Sequence, residues 1–96
     1  MKAEIKLEKK LAEVIEYLKS LGCKEVILFG SLSEGTFDDL SDIDLAVTGI
    51  SPRSYFKALA VLSSMVGQKV DLIAMDHISK DFEERIRKNG RILYAA

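Results

Sequence analysis

Leu7, Leu11, Val14, Ile15, Leu18 and Leu21 recur at three- and four-residue spacing, with Lys and Glu between them. That period gathers the apolar side chains on one stripe of an amphipathic helix over the first twenty or so residues, which Gly22 stops. The period then changes. EVILF, residues 25–29, is short, apolar and β-favouring, and it runs into Gly30-Ser31, a strand ending in a turn. A brief helical turn through Glu34, ended by Gly35, is expected next.

DIDLAVT, residues 42–48, alternates acidic and apolar side chains before becoming apolar, which predicts a strand with Ile43, Leu45 and Val47 facing a core. Gly49 closes it. Ser51 reads as a helix N-cap with Pro52 at the first helical position. Tyr55, Phe56, Leu59, Leu62 and Val66 supply the apolar stripe of this second helix, which runs to about Met65 before Gly67. KVDLIAM, residues 69–75, predicts a third strand, apolar on both faces except at Asp71. Ile78, Phe82 and Ile86 mark a third helix ended by Asn89-Gly90, and RILYA predicts a closing edge strand. Helices and strands alternate, so the expected fold class is α/β (α+β), a small mixed β-sheet flanked by helices.

Length changes this picture only by limiting it: 96 residues suffice for one domain, residues 1–96, with one modest core. The composition, 48% hydrophobic and 30% charged, is that of a globular chain without repeats or low-complexity tracts. A net charge of −1 gives no global attraction to nucleic acid. No apolar run approaches the roughly 20 residues of a membrane span, and Lys and Glu interrupt the N-terminus where a signal peptide would be apolar. The expected location is cytoplasmic. The single cysteine, Cys23, excludes an internal disulfide and a Cys-based zinc cluster, and reads as a core residue beside a helix end.

Candidate chemistry lies in the acidic strand. Side chains two apart on a strand share a face, so Asp42 and Asp44 converge while Ile43 and Leu45 point the other way. Without a counter-charge the two carboxylates repel one another. A hard cation such as Mg²⁺ resolves this, because it takes oxygen ligands from one or two carboxylates and from substrate phosphates. If the third strand neighbours the second, Asp71 completes a triad able to hold two metal ions about 4 Å apart, the arrangement used for in-line displacement at phosphorus. The competing reading makes Asp42 a turn residue, leaves Asp44 on an exposed face and pairs Asp71 with a nearby Lys or Arg.

Gly30 permits close backbone approach, and Ser31 adds a hydroxyl and amide donors; these are phosphate-binding parts, although a plain turn uses the same residues. Gly30 and Gly35 have P-loop spacing, but Thr36 and Phe37 stand where Lys and Ser/Thr are needed.

Gly30-Ser31, ten intervening residues, Asp42-x-Asp44 and a later strand acid together resemble the nucleotidyltransferase signature of the DNA polymerase beta-like superfamily. The phrase SDIDLAV, the short length and the Gly-x-x-Leu-Tyr ending at Gly90 to Tyr94 resemble its minimal nucleotidyltransferases. The resemblance implies metal-dependent transfer of a nucleoside monophosphate, usually AMP from ATP, with release of pyrophosphate. It implies that Gly30 and Ser31 contact the terminal phosphates and that Asp42 and Asp44 ligate both Mg²⁺ ions. Asp71 would ligate the ion nearer the acceptor hydroxyl and help to activate it. Minimal members look like antitoxins that add AMP to a tyrosine of a HEPN-type (higher eukaryotes and prokaryotes nucleotide-binding) toxin partner. No residues remain here for a large acceptor domain, so a partner is expected to complete the site.

One departure stands out: many relatives carry a basic residue where this chain has Leu32-Ser33-Glu34, leaving Lys24, Arg53 and Lys69 as compensating cations. That departure keeps a second function open, a noncatalytic module that masks the helical partner. A transferase acting on a small hydroxylated molecule is a third. His77 reads as a loop or cap residue, Tyr17, Tyr55 and Tyr94 as core or interface rings, and Met65 and Met75 as core.

Overall fold

The computed structural model describes residues 2–30, 43–67 and 69–96. The expected helical turn through Glu34 lies outside them. The elements follow in the order α1 (Lys2–Ser20), β1 (Glu25–Phe29), β2 (Ile43–Thr48), α2 (Pro52–Val66), β3 (Val70–Ala74), α3 (Lys80–Asn89) and β4 (Arg91–Ala95). The four strands lie side by side as β3-β2-β1-β4. β2 and β3 run parallel, as two strands joined by a helix can, whereas β1 pairs antiparallel with both β2 and β4.

Strand alternation divides the core in two. Val26, Leu28, Ile43, Leu45, Val47, Val70 and Leu72 face one side, where Leu11, Val14 and Leu18 of α1 and Ala58, Leu62 and Val66 of α2 cover them. On the other side Ile27 and Ala46 pack against Ile86 of α3 and Met75. Cys23 is buried where α1 ends, as expected, and burial pushes its thiol pKa up.

Helix ends follow their local chemistry. Ser51 caps α2 by accepting a hydrogen bond from the Ser54 amide at 3.2 Å, with Pro52 next in the chain. At the other end the Lys10 ammonium of α1 donates to the Val66 carbonyl at 2.7 Å, a cation on the negative end of the helix. Ser79 caps α3 in the same way as Ser51 caps α2.

Three expectations need correction. Phe56 and Leu59 of α2 are exposed rather than buried, because the helix sinks the narrower i, i+4, i+8 row Ala58-Leu62-Val66. β3 stops at Ala74: Met75 is buried but opens a 3₁₀ turn through His77, held by the Gly49 amide donating to Asp76 Oδ2 at 3.0 Å. Ile78 precedes α3 instead of joining it, since the helix starts after the Ser79 cap.

Candidate functional site

The strand register builds one row across three strands. Phe29 of β1 lies opposite Asp44 of β2, and Asp44 lies opposite Asp71 of β3. Ile43, Leu45, Val70 and Leu72 point into the two-helix core, so the alternating Asp44 and Asp71 share the opposite, α3 face. Neighbouring strands lie about 4.8 Å apart, which brings the two carboxylates side by side. Both residues are half-buried, and no charged residue is fully buried among those described. Asp71 makes no ion pair among the described residues, so the alternative in which a Lys or Arg neutralises it does not hold.

Gly30 closes the end of this row. Its φ of +80° is in the left-handed region, and a Cβ on it would overlap the Asp44 carboxylate. Only glycine lets the turn back onto that acid. Gly30, Asp44 and Asp71 are therefore brought together, whereas Ser31 and Asp42 lie outside the described residues. Among the described residues no three His, Cys, Asp or Glu side chains gather as a metal site; what they contribute is a pair. Two adjacent carboxylates with a backbone pressed against one of them form an oxygen donor set that suits a hard cation better than a soft one.

The candidate cations separate by position. Lys69 stands at the acid end, since its carbonyl accepts from the Ile43 amide at 3.0 Å. Lys24 bonds to Thr48 at the far end of β2, and Arg53 lies in the first turn of α2 beyond that end. Arg85 was not among the sequence candidates. It lines a cavity of about 140 Å³ with Gly30, Phe29, Phe82, Ile86 and Asn89. The signal that could have found it is an arginine on α3 outside the apolar Phe82-Ile86 row.

α3 is pinned over this face by its other arginine. Arg87 donates to both Glu25 oxygens at 2.8 and 3.0 Å and to Glu83 at 2.9 Å, and Thr48 donates to Glu25 at 3.2 Å. The Arg87 hydrogen bond holds the Glu25 carboxyl below its ordinary pKa, and the two glutamates raise that of Arg87. A larger cavity, about 380 Å³, lies between the start of α2, β3 and the 3₁₀ turn, and shares no residue with the acid row. Exposed His77 lines that cavity, away from the carboxylates. Size alone does not locate the chemistry here.

Residues 9–96 match the family model described as polymerase beta, nucleotidyltransferase. A toxin-antitoxin crystal structure with AMP-PNP is 26% identical at a TM-score of 0.77, over 93% of this chain and 73% of that one. The structure of a tri-AMPylated Shewanella oneidensis HEPN toxin in complex with MNT antitoxin matches at 21% identity and a TM-score of 0.73, over 93% and 72% of the two chains. The toxin-antitoxin MntA-HepT structure matches at 20% identity and a TM-score of 0.72, over 93% and 73%. The last two likenesses concern the fold alone. No curated protein matches the chain.

Proposed function

The chain belongs to the polymerase beta nucleotidyltransferase family, and on that premise we propose that it transfers AMP from ATP to a hydroxyl, a tyrosine of a HEPN-type partner, and so acts as an antitoxin. The observation that carries the reading is the in-register pair Asp44 and Asp71 on one sheet face, with Gly30 against Asp44. Such a pair is hard to explain as surface decoration, because Asp71 lies half-buried between buried neighbours and makes no ion pair among the described residues. The likeness to a toxin-antitoxin crystallised with AMP-PNP supports a nucleoside triphosphate as donor and a toxin as partner.

In this reading Asp42, Asp44 and Asp71 would hold Mg²⁺, and the chemistry the ion would supply is charge stabilisation for displacement at phosphorus. Gly30 and Ser31 receive the phosphates through backbone amides, and the missing Cβ of Gly30 keeps the turn close enough to do so. Asp71 orients the acceptor hydroxyl and draws its proton. α3, clamped by Arg87, limits the approach of water from one side.

The test uses α-labelled ATP, Mg²⁺, this protein and the HEPN-type product of the adjacent gene, followed by intact-mass analysis of both chains. Mass gained by the partner in steps of one AMP, and lost in Asp44→Ala/Asp71→Ala, is the expected result. Stable complex formation with no mass gained by either chain would refute transfer and leave the masking module that Glu34 favours.

A further inference from the structure

The two arginines near the end of α3 differ in what holds them. Arg87 is committed to Glu25 and Glu83. Arg85 makes no ion pair among the described residues, although Asp81 precedes it by four residues, the spacing at which charges meet along a helix. Instead its exposed side chain lines the small cavity that Gly30 borders. The segment from Ser31 to Asp42 contains no Lys or Arg and carries Glu34, Asp38, Asp39 and Asp42. A polyphosphate arriving at Gly30 therefore needs its counter-charge from another part of the chain.

We infer that Arg85 and Asn89 of α3, facing Gly30, form a subsite for the terminal phosphate of a nucleoside triphosphate. The inference rests on the transferase reading for the identity of the ligand. Cavity size favours a phosphate over a nucleoside: about 140 Å³ is well under the roughly 300 Å³ at which sites for whole small molecules begin. A guanidinium presents a planar fork that fits two phosphate oxygens, and the Asn89 amide adds a donor. Phe29 and Phe82 stand edge to face at 6.4 Å and form an apolar wall, which strengthens attraction between opposite charges beside it. The subsite also supplies the counter-charge that residues 31–42 lack.

The experiment measures binding of inorganic tripolyphosphate and of AMP by calorimetry in Mg²⁺, together with the KM for ATP, in wild type, Arg85→Gln and Lys88→Gln. Lys88 removes the same charge from the same helix without lining the cavity. Arg85→Gln is expected to weaken tripolyphosphate and raise the KM for ATP by about tenfold, the loss of one charge-assisted contact. AMP affinity and the unliganded melting temperature should stay unchanged, and Lys88→Gln should match wild type throughout. Equal weakening of tripolyphosphate by both variants, or none by Arg85→Gln, overturns the subsite even when AMP transfer is intact. Absent AMP transfer with tripolyphosphate binding that depends on Arg85 overturns the transfer reading and leaves the subsite standing.

Discussion

Replacing Gly30 by alanine separates two costs that the structure keeps apart elsewhere. At φ +80° the added Cβ meets backbone strain, about 1–2 kcal/mol for a left-handed residue. It also enters the space of the Asp44 carboxylate, and overpacking of that kind costs about 1–3 kcal/mol more. Gly67 supplies the comparison. Its φ is +78°, but a Cβ there meets nothing nearer than Lys10 Nζ at 3.7 Å, an ordinary contact. Gly67→Ala should therefore show the strain alone and Gly30→Ala the sum. Since about 1 kcal/mol moves the midpoint of a domain this size by some 4–8 °C, Gly30→Ala should melt at least about 4 °C below Gly67→Ala. Melting with and without Mg²⁺ then asks what the displaced carboxylate did. A ligand that binds only the folded state raises stability by about 2.7 kcal/mol at a hundredfold excess over its Kd. That rise should persist in Gly67→Ala and vanish in Gly30→Ala. Equal midpoints for the two variants, or a Mg²⁺ response retained in Gly30→Ala, would refute the argument that glycine is required there to seat Asp44.

Three further outcomes are expected. Because the folded state holds the Glu25 carboxyl below its ordinary value of about 4.5, its contribution is complete above that value and is lost as pH falls through the lower folded-state pKa. The melting temperature of wild type should thus exceed that of Glu25→Gln at neutral pH and converge with it in acid; a constant gap between them down to pH ~2 would contradict the Arg87 clamp. In urea unfolding, Leu62→Ala should lose about 2–5 kcal/mol, since Leu62 is 1% exposed. Phe56→Ala, 68% exposed, should change stability by no more than about 0.5 kcal/mol.

The parts legible from sequence are those that short-range chemistry decides. Ser51-Pro52, Gly67 and the change of period at Glu25 mark helix and strand ends without reference to the rest of the chain. The pairing of Asp44 with Asp71 was legible as a condition, because a helix between two strands allows them to lie parallel and adjacent. The exposure of Phe56 was not legible: on α2 it sits beside an equally apolar row, and only the small Ala58, which lets the helix approach the sheet, selects between them. Met75 misled in the same way, since burial continues past the end of β3 while the backbone turns. Arg85 and the Glu25–Arg87 clamp depend on placing α3 over β1, a contact between segments 62 residues apart that no local pattern announces.

The alternation along β2 has a consequence for how this chain tolerates insertions and deletions. Ile43, Leu45 and Val47 serve the core while Asp44 between them faces the opposite side, so a point substitution at Asp44 leaves the side chains that build the two-helix core in place. Removal of one residue from the same strand has no such selectivity. It would exchange the two faces in a single step, turning a carboxylate toward α1 and α2 and leucine toward α3. In β2 the reading frame of the pleat, more than the identity of any one side chain, is what a length change cannot preserve.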